Sequence, residues 1–334
     1  MTGLTLPRIG FGTAPLGNLY HAIDDATATA TVAAATEVGF LYADTAPFYG
    51  FGLAEERLGQ AIAGTNDVVI STKVGRLLEP LAATATGERD GFVDGLPFAP
   101  VYDYSRDGVL RSHEGSLKRL GRDRIDILYV HDIGRLVHSA AHAARMSELL
   151  DGGGFAALEQ LRDEGAVSAI GIGVNETAIC LEMMERVQLD IILLAGRYTL
   201  LEQGPLDDLF PRCAAAGTAL VLGGPYNSGI LALGADAPAA HYNYATVPDG
   251  VRDRTRAIEA ICAAHHVALP AAALQFVLAH PQVASVIPGL ASPAEVRATI
   301  ANAAAPIPDG LWQDLKSAGL LRNDAPVPQP KDRT

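Results

Sequence analysis

Cysteine is scarce. The 334 residues contain three, Cys180, Cys213 and Cys262, which form no C-x-x-C pair and no even set of the kind a disulfide framework needs. The opening M-T-G-L-T-L-P lacks the basic-then-apolar order of a secretion signal. A reducing, cytoplasmic setting is therefore the expectation. Long apolar runs are also missing: Gly, Pro or a charged residue interrupts each one before the roughly 20 residues of a membrane span. Positive charge is short, with 25 Lys and Arg against 38 Asp and Glu for a formal net charge of −13. Such a field repels phosphate backbones and anionic lipid, so neither nucleic acid nor membrane is an expected partner. Three familiar signatures are incomplete. Gly12-x-x-x-x-Gly17 is followed by Asn18 where a P-loop needs lysine, and Gly171-Ile-Gly173 has only the first two glycines of G-x-G-x-x-G. Both read as turns at the rim of a fold. His138 and His142 stand four apart without an H-E-x-x-H frame, which favours solvated helix histidines over metal ligands.

What is present points to a packed α/β protein, since 49% of residues are hydrophobic and 19% charged. Eight short apolar runs, at 9–11, 40–44, 68–73, 125–131, 168–174, 191–195, 219–222 and 283–288, alternate with alanine-rich or amphipathic segments. Helices are expected over 25–38, 53–63, 111–120, 155–164, 176–187 and 252–265. This alternation predicts a (β/α)8 TIM barrel formed as a single domain, with a core at about 5–320. Three long excursions, 75–108, 132–154 and 223–250, follow strands and so belong over the C-terminal mouth. The proline-bearing tail 323–334 reads as either an ordered strap or a frayed end.

Four residues sit at or just after the ends of such strands: Asp44 and Tyr49 in D-T-A-P-F-Y-G, Lys73 in V-V-I-S-T-K-V, and His131 in I-L-Y-V-H-D. A parallel barrel brings them to one rim. A tyrosine with an ordinary pKa near 10 needs a cation and a relay to exchange protons near neutrality. Lys73 can supply the charge, Asp44 can hold the ammonium, and His131 can donate to a substrate oxygen, leaving Tyr49 as general acid/base. Taken singly, each has a plain alternative: a barrel-lining ion pair, a packed aromatic, a satisfied core histidine.

In this register the four residues resemble the catalytic tetrad of the aldo-keto reductase superfamily, a likeness running from Gly10–Thr13 to the helix after Gly289. The resemblance implies an extended nicotinamide cofactor at the barrel mouth, with hydride transfer beside the Tyr49 hydroxyl. It places Thr13 and Asp44 near the nicotinamide ribose and Asn175 near the carboxamide. Gly223, Gly224, Pro225, Tyr226 and Ser228 fall in the turn that holds the pyrophosphate, where backbone N–H groups suffice. Ala195 stands where many relatives have glutamine, and Gly223 where many have an aromatic stacked on nicotinamide, so Tyr198 is the candidate replacement. Gly289, Ala291, Glu295 and Thr299 fall at the adenosine end. A carboxylate at Glu295 disfavours a 2′-phosphate, so NAD is expected over NADP despite Arg297 nearby.

The stretch 101–132 is similar to the branch that oxidises D-threo-aldoses such as L-fucose, or pyridoxal. Both substrates close to cyclic hemiacetals, whose oxidation gives lactones. The aldose is the first expectation and pyridoxal, giving 4-pyridoxolactone, the alternative. Asn18, Tyr20, His21, Phe48, Asp132, Tyr226 and Asn227 are the candidate substrate contacts. A cofactor-sensing binding module with little turnover is the reading from another class. The oligomeric state is left open.

Overall fold

The computed structural model describes residues 4–82 and 86–329. Eight parallel strands follow one another around a barrel: β1 (Phe11–Gly12), β2 (Tyr42–Asp44), β3 (Val69–Val74), β4 (Ile127–His131), β5 (Ala169–Val174), β6 (Ile191–Ala195), β7 (Ala219–Gly223) and β8 (Val283–Ile287). Bridges Ile9↔Val286 and Gly12↔Gly289 join the first strand to the last. The runs are short and apolar because both faces of such strands are covered, by helices outside and by side chains within. Tyr42, Ile127, Tyr129, Ala169, Ile191, Leu193, Val221 and Ile287 fill the interior, and Leu4 and Leu6 pack against them.

The helices begin and end where local chemistry dictates. In α1 (Asp25–Glu37) the buried residues Ala28, Thr31, Val32 and Ala35 form the i, i+3, i+4, i+7 stripe of a core-facing helix, capped by Asp24, which accepts from Thr27 N at 2.7 Å. After α2 (Leu53–Ala61), α3 (Arg106–Leu120) starts five residues before the expected position. Ser105 caps it through Gly108 N, and Gly121, at φ 60°, ends it. Further along, α4 (Gly154–Asp163), α5 (Thr177–Met184), α6 (Leu209–Ala216), α7 (Leu269–Leu278) and α8 (Pro293–Ala304) complete the outer layer. No single helix among the described residues is long and apolar enough to cross a membrane.

The first excursion folds into two antiparallel pairs, Arg76–Pro80 with Phe98–Tyr102 and Glu88–Arg89 with Phe92–Val93. In the second lie the helices Arg135–His138 and His142–Leu150. His138 and His142 are both buried, which corrects their reading as solvated. His142 Nδ1 lies 3.1 Å from the Ile133 carbonyl, and His138 Nε2 lies 2.9 Å from the Tyr104 hydroxyl. Gly171 and Gly173 are likewise strand residues of β5, not a rim turn. A Cβ on Gly171 would meet the Ile191 carbonyl at 1.7 Å, and one on Gly173 would meet Lys73 Cε at 3.3 Å. The tail is strapped as far as it is described: Lys316 Nζ donates to the Asn323 and Ala325 carbonyls, both at 2.9 Å, and Ala325 is buried. Residues 330–334 of that tail lie outside the described chain.

Candidate active site

Lys73 organises the rim. Its Nζ donates to Asp44 Oδ2 at 2.7 Å, to the Thr45 carbonyl at 2.8 Å and to the Tyr49 hydroxyl oxygen at 3.0 Å. An ammonium has three hydrogens, so all are engaged. The Tyr49 oxygen is therefore an acceptor from Lys73, and its own O–H proton is free to point into the space above. The His131 ring stands edge-on to Tyr49, with centroids 6.0 Å apart and planes at 88°.

Strand period places a second layer directly below. Two residues before Asp44, Lys73 and His131 stand Tyr42, Ser71 and Tyr129, on the same inward face. Ser71 Oγ donates to Asp44 Oδ1 at 2.7 Å. Tyr42 hydroxyl lies 3.0 Å from Ser71 Oγ and 3.2 Å from Tyr129 hydroxyl. Both Asp44 oxygens are thus held, which fixes Lys73 and through it Tyr49. The pair is 2% to 3% exposed, so removing one partner should cost about 3–5 kcal/mol.

Burial sets the protonation states. It raises the Asp44 carboxyl pKa, and the adjacent Lys73 ammonium and Ser71 hydroxyl work against that. Burial also holds Tyr49 well above the ordinary tyrosine value, with Asp44 adding to the effect and Arg76 opposing it. Lys73 donates to the Tyr49 oxygen but is neutralised by Asp44 at contact distance, so burial holds Tyr49 as a phenol in the free protein. His131 is pushed well below its ordinary value, first by burial and then by Arg76 and Lys73, so it is a neutral imidazole.

Above these groups opens a cavity of about 680 Å³. Tyr49, Lys73 and His131 form its base. Leu19, Phe48, Phe92, Leu136 and Val137 make an apolar wall, and Glu88, Asp90, Asp132, Asn175 and Arg197 supply polar groups. Phe48 and Phe92 meet edge to face at 5.4 Å, and Tyr20 stacks on His241 at 4.5 Å. Of the expected substrate contacts, Tyr20, Phe48 and Asp132 line this space. Asn18 does not: its amide donates to the Val93 carbonyl at 3.0 Å and accepts from Ile23 N and Arg57, tying the first loop to the Glu88–Val93 hairpin. His21 is exposed outside the cavity wall. Asn227 is buried against Thr199 and the Gly196 carbonyl.

The cofactor-side expectations also divide. Asn175 lines the cavity, its Nδ2 donating to the Ala195 carbonyl at 3.3 Å. Thr13 N donates to the Asp44 carbonyl at 2.9 Å, and the buried Thr13 and Thr45 hydroxyls have no partner among the described residues. Gly223 ends β7, Gly224 and Pro225 lead into the turn that follows, and Ser228 Oγ accepts from Tyr244 N at 3.1 Å. Tyr198 is corrected: it is buried against Phe210, Phe276 and His280 on the helix side and cannot stack in the cavity. Tyr226 packs into that same outer core. At the other end Gly289 is exposed, Thr299 Oγ1 donates back to the Glu295 carbonyl, and Glu295 Oε2 accepts from Ala291 N at 2.7 Å.

Most of the residues that sequence reading missed lie in the excursions; Leu19 and Arg197, which line the same cavity, do not. Glu88, Asp90 and Phe92 come from the first, Leu136 and Val137 from the second, and His241, Asn243 and Tyr244 from the third; Arg76, also of the first, lies over the Phe48 ring. Tyr244 lies over the mouth at φ 62°, its hydroxyl reaching the Asn175 side chain. Excursions of this length over a barrel mouth were the one available signal.

This barrel, with an acid/base cluster at its C-terminal rim, defines an oxidoreductase of known type. The aldo/keto reductase family matches residues 8–319, and the chain belongs to that family. It is 42% identical to a pyridoxal 4-dehydrogenase of Microbacterium luteolum and 40% identical to a D-threo-aldose 1-dehydrogenase of a Pseudomonas species, in each case over 96% of both chains. Among solved structures it resembles the holo form of an aldo-keto reductase of Bacillus halodurans, with TM-score 0.71 and 25% identity over 99% of this chain and 96% of that one. Aldo-keto reductases use nicotinamide cofactors. The small-residue floor of Gly173 and Ala195, the Asn175 amide and the unpartnered Thr13 and Thr45 hydroxyls fit such a group.

Proposed function

We propose that the protein is an NAD-dependent dehydrogenase that oxidises a cyclic hemiacetal at its carbinol carbon to a lactone. The observation that carries the reading is the Tyr49 hydroxyl. Its oxygen accepts from Lys73 and lines the cavity, and the neutral His131 stands beside it. Once Tyr49 has ionised, its oxygen takes the proton of the substrate hydroxyl as the carbon loses hydride, and His131 steadies the oxygen that becomes the lactone carbonyl. When bound, oxidised nicotinamide supplies the hydride acceptor and a positive charge that favours ionised Tyr49. Asn175, Thr13 and the turn 223–228 would hold it.

Between the two substrates, the apolar wall favours the planar one. Phe48 and Phe92 with Leu19, Leu136 and Val137 suit the face of a pyridine ring better than a sugar with polar groups on every edge. Pyridoxal hemiacetal thus moves ahead of the aldose expected from sequence. Glu88 and Asp90 at the cavity, able to accept from sugar hydroxyls, support the aldose as second reading.

NADH formation with pyridoxal, L-fucose, D-arabinose and L-galactose, each with NAD and with NADP, tests both. Turnover confined to pyridoxal supports the first reading, turnover confined to the sugars replaces it with the second, and silence with all four overturns the dehydrogenase. For NAD, Glu295 is the discriminator: Glu295→Gln removes the charge while retaining an acceptor for Ala291 N. The NAD-to-NADP ratio of kcat/KM should fall about tenfold with little change in Tm. An unchanged ratio removes Glu295 from the argument.

A further inference from the structure

Each of three rim residues has a sequence neighbour that joins a second assembly. Phe48 precedes Tyr49, Arg76 follows Lys73 by three, and Asp132 follows His131. The Arg76 guanidinium lies 4.0 Å over the Phe48 ring, and its Nη2 donates to Asp132 Oδ2 at 2.5 Å. That same oxygen lies 3.4 Å from His131 Nε2. Arg76 is 6% exposed and the Asp132 side chain 15%. Asp132 is held at φ 48°, a left-handed conformation that few residues other than Gly, Asn and Asp adopt readily, and its N donates to the Gly173 carbonyl at 3.0 Å. The brace therefore links the ends of three strands behind the reacting groups.

The position of the carboxylate has a consequence for His131. Its Nδ1 is buried with no partner among the described residues. A bare ring nitrogen is tolerated there more readily than an orphaned N–H. Asp132, an acceptor only, lies on the Nε2 side. Both facts favour the tautomer with its proton on Nε2, the one that can donate to an oxygen in the cavity.

We propose that Asp132, anchored by Arg76, is a positioning residue that keeps the His131 proton on Nε2 and sets the electrostatic balance at the Tyr49 hydroxyl. Tyr49 faces Lys73 from β3, Asp44 from β2, His131 and Asp132 from the end of β4, Arg76 from the hairpin and Tyr244 from the third excursion. Among these, Asp132 and Arg76 act in opposite directions: the carboxylate disfavours tyrosinate and the guanidinium favours it. The kinetic half of this proposal rests on the dehydrogenase reading, and the tautomer does not.

Three variants separate the roles. Asp132→Asn keeps the size and the tolerated φ. Arg76 takes the amide oxygen, and because that is also the atom facing His131 Nε2 the variant keeps the acceptor and removes only the charge; Asp132→Gly keeps the tolerated φ and removes the acceptor as well. We expect kcat of Asp132→Gly to fall about 10- to 100-fold with KM within a few-fold, and the acidic limb of the oxidation profile to move down by about one pH unit in Asp132→Asn. Arg76→Met, leaving Asp132 without its cation, should move the limb up by a similar amount. Nitrogen-15 NMR of the His131 ring reads the tautomer without turnover: Nε2–H in the parent chain, Nδ1–H enriched in Asp132→Gly. A parent proton on Nδ1, limbs that move together or not at all, or a raised KM with kcat intact would each overturn the proposal, the last by making Asp132 a substrate contact. If the parent chain turns over none of the hemiacetals, the dehydrogenase reading fails and the NMR result alone decides the brace.

Discussion

Tyr49 keeps its proton in the free protein because burial outweighs a cation that Asp44 has already neutralised. Oxidation should therefore accelerate toward alkaline pH as the phenol ionises, and kcat/KM measured across that range would report the limb directly. Tyr49→Phe retains the ring and its packing but loses the only oxygen placed to take the proton. It should lower kcat by about 10²–10⁴-fold while cofactor affinity stays within a few-fold; parent-like turnover would remove Tyr49 as the base. All four tetrad residues were legible in the chain because each sits in a short motif at or just beyond the end of a buried strand. Their protonation states were not, since those depend on how closely Asp44 approaches Lys73.

At the scale of elements, the period of two that makes a strand also makes the site. Reading back two residues from Asp44, Lys73 and His131 gives Tyr42, Ser71 and Tyr129, a layer open to anyone who applies the alternation. The excursions were not open in this way. Glu88–Arg89 and Phe92–Val93 are too short for a hydrophobic pattern, and what holds that hairpin is Asn18, 75 residues from Val93 in sequence. Sequence reading made Asn18 a candidate substrate contact; here Arg57 and two backbone groups occupy its amide. Asn18→Ala should cost about 1–3 kcal/mol and raise substrate KM more than it lowers kcat, because the wall carrying Phe92 loosens while the tetrad does not. Thermal melts and steady-state kinetics check the two parts.

The whole molecule binds protons as well as substrate. His138 and His280 are buried, and their pKa values are lowered to about 4, mainly by loss of hydration. Between about pH 6.5 and 4 the unfolded chain binds protons at these positions that the folded chain refuses, so their contribution favours folding above that window and is lost as pH falls through it. The buried carboxyls Asp44 and Asp132, with raised values, act in the opposite direction. Comparison with a variant isolates the histidine effect: His280→Gln should flatten the decline of Tm with falling pH relative to the parent, and parallel curves would show that His280 contributes nothing. The barrel itself was legible because eight apolar runs repeat at helix-length intervals, whereas element ends shifted by a few residues wherever a cap such as Ser105 decided them.

The proton-handling residues, with the layer beneath them, all fall between Tyr42 and Asp132, whereas the small-residue floor and the turns assigned to the electron carrier fall between Gly171 and Thr299. The barrel thus has an acid/base half and a half that supplies most of the proposed carrier contacts, and the two meet where β1 closes on β8, beside Thr13, and along the β4–β5 seam. A chimera crossed at that seam could inherit its carrier preference from one parent and its acid/base chemistry from the other, so the two properties can be altered one at a time.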